Sequence, residues 1–160
     1  MKKKYYKTGS IYLIFLLGVF SLNFLGALVT KSNLMPWYQH LIKPDFNPPS
    51  WVFGPVWTFL YIVIAWVGAY VWLLPKSFKR TKLLSLWFGQ MFLNFIWSIL
   101  FFGWHQILLA AVDLTCLIVV VGCLTACLYK VNTLGFYGFC LYLAWISYAG
   151  VLNWSIYSLN

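Results

Sequence analysis

Five stretches of nearly unbroken apolar residues, separated by breaks rich in polar and turn-forming residues, run along the 160-residue chain. A helix that crosses a bilayer needs about 20 mostly apolar residues. Segments 9–29, 51–74, 83–102, 107–129 and 135–157 meet that length. The breaks fall at 31–50, 75–82, 103–106 and 130–134. Three of the four are short, so successive helices are expected to be antiparallel neighbours. The runs are continuous rather than short alternating segments, which excludes a β-barrel. The pattern predicts one all-α membrane domain over 1–160, a bundle of five transmembrane helices with an ordered loop at 31–50. The first segment follows Lys2–Lys4 and so has the outline of a signal peptide. Its apolar run is too long for one and Leu25-Gly26-Ala27 is a poor cleavage site, so it reads as a retained helix.

Composition strengthens this picture. The chain is 63% hydrophobic and 8% charged, against about 25% charged residues in soluble domains. Asp45 and Asp113 are its only acids. A formal charge of +9 invites a nucleic-acid reading. The basic residues instead sit in short tracts beside apolar runs, where they act as topology signals, so nucleic acid is not an expected partner. With the N-terminus inside, Lys2, Lys3, Lys4, Lys7, Lys76, Lys79, Arg80, Lys82 and Lys130 fall inside, and only Lys31 and Lys43 fall outside. The expectation is a cytoplasmic N-terminus, with the 31–50 loop and the C-terminus on the other side of the membrane. Cys116, Cys123, Cys127 and Cys140 lie in apolar runs without C-x-x-C spacing. They read as inert small hydrophobes, and no metal site or cofactor is expected.

Aromatic residues make up 22% of the chain, ten of them Trp. The loop from Trp37 to Trp51 is stiffened by Lys43-Pro44 and Asn47-Pro48-Pro49, which fix φ and extend the preceding residues. Trp37, Tyr38, Pro44, Pro48 and Trp51 fit either an interfacial anchor or a lid over a cavity. No helix is expected within it. In the third segment, Gln90, Asn94 and Trp97/Ser98 share one helical face. Amides in hydrocarbon need partners, so this face points inward, either as interhelical contact or toward a ligand's polar group. In the fifth segment Tyr142, Trp145, Ala149 and Asn153 form one stripe. In the second, Trp57 and Tyr61 do the same, with Thr58 alongside. Stripes facing a common interior would wall a pocket for a flat, rigid, apolar ligand; plain core packing is the alternative. Asp113, near the start of the fourth segment, reads as structural. Gly122/Ala126 and Ala65/Ala69 permit close helix approach and allow a dimer. His40 and His105 have no acid near them in sequence except Asp45, and no phosphate loop or hydrolase motif is present.

Five elements in order resemble the tryptophan-rich sensory protein family, also called the translocator protein or peripheral-type benzodiazepine receptor family (TspO/MBR). They are W-Y-x-x-L-x-K-P (Trp37–Pro44), P-P-x-W-V-x-G-P-V-W-T-x-L-Y (Pro48–Tyr61), Q-x-x-L-N-x-x-W-S-x-x-F-F-G (Gln90–Gly103), A-x-V-D-L (Ala110–Leu114) and Y-L-A-W-x-x-Y-A-x-x-L-N (Tyr142–Asn153). The resemblance implies a five-helix bundle with the first loop as a lid, porphyrin as ligand rather than cofactor, and a homodimer. It also implies that Trp57 and Trp145 look like the pocket tryptophans tied in bacterial relatives to light-dependent porphyrin breakdown, with Gln90 and Asn94 as polar contacts. Leu141 stands where the family often has proline, which removes the expectation of a kink. No basic residue follows Tyr157, which lowers the expectation of sterol binding. The readings in order are a tetrapyrrole sensor or carrier, a photo-oxidative porphyrin-degrading enzyme, and, with no inverted repeat in view, a coupled transporter.

Overall fold

The computed structural model describes the backbone of residues 2–35 and 37–160 and the side chains of residues 8–35 and 37–160. The side chains of Lys2–Lys4 and Lys7, part of the expected inside charge, lie outside that set. Five helices form: α1 Lys2–Leu34, α2 Ser50–Leu73, α3 Phe78–Ser98, α4 Ile107–Leu128 and α5 Thr133–Leu159. Each is long and apolar enough to cross a membrane, and the described residues contain no strand. Leu17, Phe92, Val119 and Leu141 are exposed on their helices. Outward apolar side chains of this kind are what lipid contact requires.

The helix ends differ from expectation in one consistent way. Apolarity marks the hydrocarbon-spanning part of a helix, and the backbone bonding continues beyond it. α1 runs on through Lys31–Leu34, where Ser32 Oγ and Asn33 Nδ2 bond back to the carbonyls of Leu28 and Val29. α3 begins at Phe78, not 83, because the Ser77 hydroxyl accepts from the Arg80 amide and caps the first turn. The α1–α2 loop is therefore shorter than 31–50, and it holds a 3-10 turn at Tyr38–His40 where no helix was expected. α3 also does not end in regular geometry. A π-helical turn, Ile99–Gly103, extends it, closed by Trp104 N–H donating to the Ile99 carbonyl at 2.8 Å.

Contacts α1–α2, α2–α5, α5–α4, α4–α3 and α3–α1 close a ring of five helices. α2 and α3 also meet where Trp87 lies against Gly68, and the Trp87 indole donates to the Ile64 carbonyl at 2.9 Å. A Cβ at Gly68 would stand 2.5 Å from the Trp87 ring and 2.7 Å from Phe15. Glycine is what permits three helices to converge there. Ala65 and Ala69 are buried inside the bundle, so that small-residue pair serves packing between helices of one chain. The main core of Leu60, Ile64, Leu117, Leu124, Phe139 and Tyr142 fills one end of the ring. A smaller cluster around Phe101, Phe102 and Ile156 lies toward the α1–α2 loop.

Candidate binding cavity

Between these clusters lies a cavity of about 490 Å³ bounded by all five helices. Helical periodicity brings the walls together. On α2, Trp57 and Tyr61 are one turn apart and stack at 5.2 Å and 28°. On α3, Asn94, Trp97 and Ser98 face inward, and Trp97 stacks on Phe101 at 5.3 Å and 16°. On α5, Trp145, Ala149 and Asn153 form the facing stripe, with Phe53 edge-on to Trp145 at 5.7 Å. Leu114 and Leu117 of α4 supply an aliphatic patch.

The polar atoms are largely committed. Asn94 Nδ2 donates to the Tyr142 hydroxyl at 3.2 Å, and that hydroxyl donates to Gln90 Oε1 at 3.0 Å. The Trp97 indole donates to Asn153 Oδ1 at 2.9 Å, while Asn153 Nδ2 donates to the Ile107 carbonyl at 3.1 Å. Among the described residues, three buried atoms are left unpaired: Gln90 Nε2, Asp113 Oδ2 and Trp145 Nε1. The cavity wall is thus braced by hydrogen bonds that run into the core and across to α4.

Of the residues singled out from the sequence, Trp57, Tyr61, Asn94, Trp97, Trp145, Ala149 and Asn153 line the cavity. Gln90 and Tyr142 are fully buried behind the wall and do not line it. Asp113 is buried on α4 and also stands away from it. In the α1–α2 loop, Tyr38 lines the cavity together with Asn47, and Pro44, Pro48, Trp37 and Trp51 do not. Trp51 is exposed at the start of α2.

The loop is held at several points. Trp37 stacks on His105 at 4.3 Å and 14°, with its edge contact to Phe101 at 5.2 Å. His105 adopts a φ of 57° after the π turn, and its Nε2 lies 3.2 Å from Asn33 Oδ1. The Ile42 amide donates to Asn160 Oδ1 at 2.9 Å, and Asn160 Nδ2 donates to the Ile42 carbonyl at 3.0 Å. The Tyr148 hydroxyl donates to the Phe46 carbonyl at 2.6 Å. Lys43 Nζ donates to the Leu41 carbonyl at 3.0 Å and lies over the Tyr38 ring. Burial pushes the Tyr38 phenol above its ordinary pKa of 10.0, against the lowering effect of its bond to Asn47.

Sequence reasoning missed the α1 wall. Asn23, Ala27, Thr30, Lys31 and Leu34 all line the cavity. Their spacing of i, i+4, i+7, i+8 and i+11 is one helical face, and polar residues on it were a readable signal inside an otherwise apolar helix. Phe101 and Phe102 were missed too, because a π turn leaves no periodic mark.

These features define an integral membrane protein built as a five-helix ring around an internal, aromatic-walled cavity. The TspO/MBR family matches residues 13–159, and the chain belongs to that family. It is 36% identical over 146 residues to the Tryptophan-rich protein TspO of Archaeoglobus fulgidus, covering 91% of this chain and 94% of that one. It is 34% identical over 139 residues to the Translocator protein of Homo sapiens, covering 86% and 82%. Protein CrtK of Rhodobacter capsulatus is 33% identical over 125 residues, with 78% of each chain covered.

Proposed function

We propose that this protein binds porphyrins or related tetrapyrroles inside the bundle and acts as a membrane sensor or carrier, with the α1–α2 loop as its lid. The observation that carries this reading is the cavity walled by Trp57, Tyr61, Trp97 and Trp145. A flat conjugated ring gains from such faces about 0.5–1.5 kcal/mol per aromatic pair beyond area burial. The volume suits a small-molecule site, for which about 300–1,000 Å³ is usual. Asn94 and Asn153 are the polar contacts in this reading, and Gln90 and Tyr142 hold Asn94 in place from behind. The tetrapyrrole is a ligand and no cofactor is invoked. The name of the human relative, Translocator protein, accords with a carrier.

The test is a dark titration of detergent-purified protein with protoporphyrin, followed by tryptophan quenching. Saturable binding weakened in Trp57→Phe/Trp145→Phe is the expected result. Unsaturable quenching, or no change in the double variant, sinks the reading. Both tryptophans line the cavity, which favours one rival: light-driven oxidation of the bound porphyrin by dioxygen. That rival requires a new product spectrum on illumination that Trp145→Phe abolishes while dark binding survives. The reading also includes a homodimer and a cytoplasmic N-terminus in a bacterial inner membrane. Light scattering and a C-terminal reporter active only in the cytoplasm test these two points.

A further inference from the structure

The cavity has an unbalanced charge. Among the described residues that line it only one is charged, Lys31, in the last turn of α1. The chain has two acids to offer it, Asp45 and Asp113, and neither lines the cavity. Lys31 makes no hydrogen bond or ion pair among the described residues. Lys43, the other basic residue at this end, is occupied: its ammonium donates to the carbonyls of Gln39 and Leu41 and covers Tyr38. Lys31 is exposed and sits at the edge of the cavity with Ser50, the first residue of α2.

We propose that Lys31 is a specificity residue, and that the ligand is an amphipathic acid whose carboxylate docks on its ammonium at the cavity mouth while the apolar body lies among the tryptophans. This deepens the binding reading above and rests on it. The chemistry is direct. A carboxylate left in the apolar interior would be desolvated without a partner, which is costly. At the mouth it keeps water and gains a cation, so the ligand enters body first and stops with its acid outward. A neutral ligand of the same shape loses that anchor and its orientation.

The probe pair is protoporphyrin and its dimethyl ester, titrated in the dark into protein in vesicles of zwitterionic lipid only. The variant is Lys31→Met, which preserves the stem and, lacking any partner to break, leaves the fold intact. Wild type is expected to bind the acid more tightly than the ester by about threefold to fivefold, the scale of one water-exposed ion pair. That preference disappears in Lys31→Met, through loss of acid binding alone, and shrinks as salt is raised. Equal binding of acid and ester by wild type, or an acid preference that survives in Lys31→Met, overturns the proposal and leaves the porphyrin reading standing. Saturable binding of neither compound overturns both.

Discussion

Tyr142→Phe removes one hydroxyl and almost nothing else. The ring keeps its edge contacts to Phe139 at 5.7 Å and Trp57 at 6.3 Å. Two hydrogen bonds go, from Asn94 at 3.2 Å and to Gln90 at 3.0 Å. Between spanning helices such bonds average about 0.6 kcal/mol and reach about 1.7, so the pair is worth roughly 1–3.5 kcal/mol. The Gln90 side pushes the cost upward. Gln90 is fully buried and its Nε2 already lacks a partner, so the substitution strands both ends of the amide. A chain of this length shifts about 2–4 °C per kcal/mol, and the expected loss is roughly 2–14 °C in thermal midpoint. Near-UV circular dichroism in detergent reads it. The double variant Gln90→Leu/Tyr142→Phe removes the stranded amide and is expected to recover most of the loss. A single variant within about 1 °C of wild type, or a double variant no better than the single, would refute the idea that this chain of bonds braces the cavity wall.

Gly68→Ala is expected to cost about 1–3 kcal/mol, because the new methyl meets the Trp87 ring at 2.5 Å and the indole is pinned to Ile64; an unshifted denaturation midpoint would show that the α1–α2–α3 junction yields freely. Trp97→Phe breaks the bond to Asn153, whereas Trp145→Phe discards an indole N–H that has no partner. Trp97→Phe is therefore expected to lose about 1 kcal/mol more hydrogen-bond stability; equal thermal shifts would count against it. Asn160→Ala deletes the two-point pairing with Ile42, and hydrogen exchange in peptides covering 38–47 should quicken by about tenfold if those bonds hold the loop closed. Exchange unchanged from wild type would place the hold on Trp37 and Tyr148 alone.

The stripes on α2, α3 and α5 were legible because a helix repeats its faces, and an amide or tryptophan in an apolar run stands out against its neighbours. Periodicity does not say how deep a residue sits. Tyr142 and Trp145 belong to one stripe, yet Tyr142 is sealed behind the wall and Trp145 lines the cavity. That difference depends on where α2 and α3 lie, which no single helix encodes. Helix ends were displaced because apolarity tracks hydrocarbon and not hydrogen bonding, as Ser77 and Ser32 show. The α1–α2 loop was recognised from its prolines. Its attachments to Asn160, Tyr148 and His105 span large sequence distances, and local chemistry gives no notice of them.

The ring order has a consequence for synthesis. α5 is made after the other four helices, and it inserts between α2, made second, and α4, made just before it. Until it arrives, the inward faces of α2 and α4 have no partner on that side, and the surface carrying Trp57 lacks its opposite wall at Trp145 and Asn153. No pair of helices, and no nascent chain short of α5, contains the chamber. A ligand bound as proposed, held by all five walls, would therefore report finished assembly: it would find nothing to occupy until the fifth helix had closed the circle, and once inside it would resist the departure of any one of them.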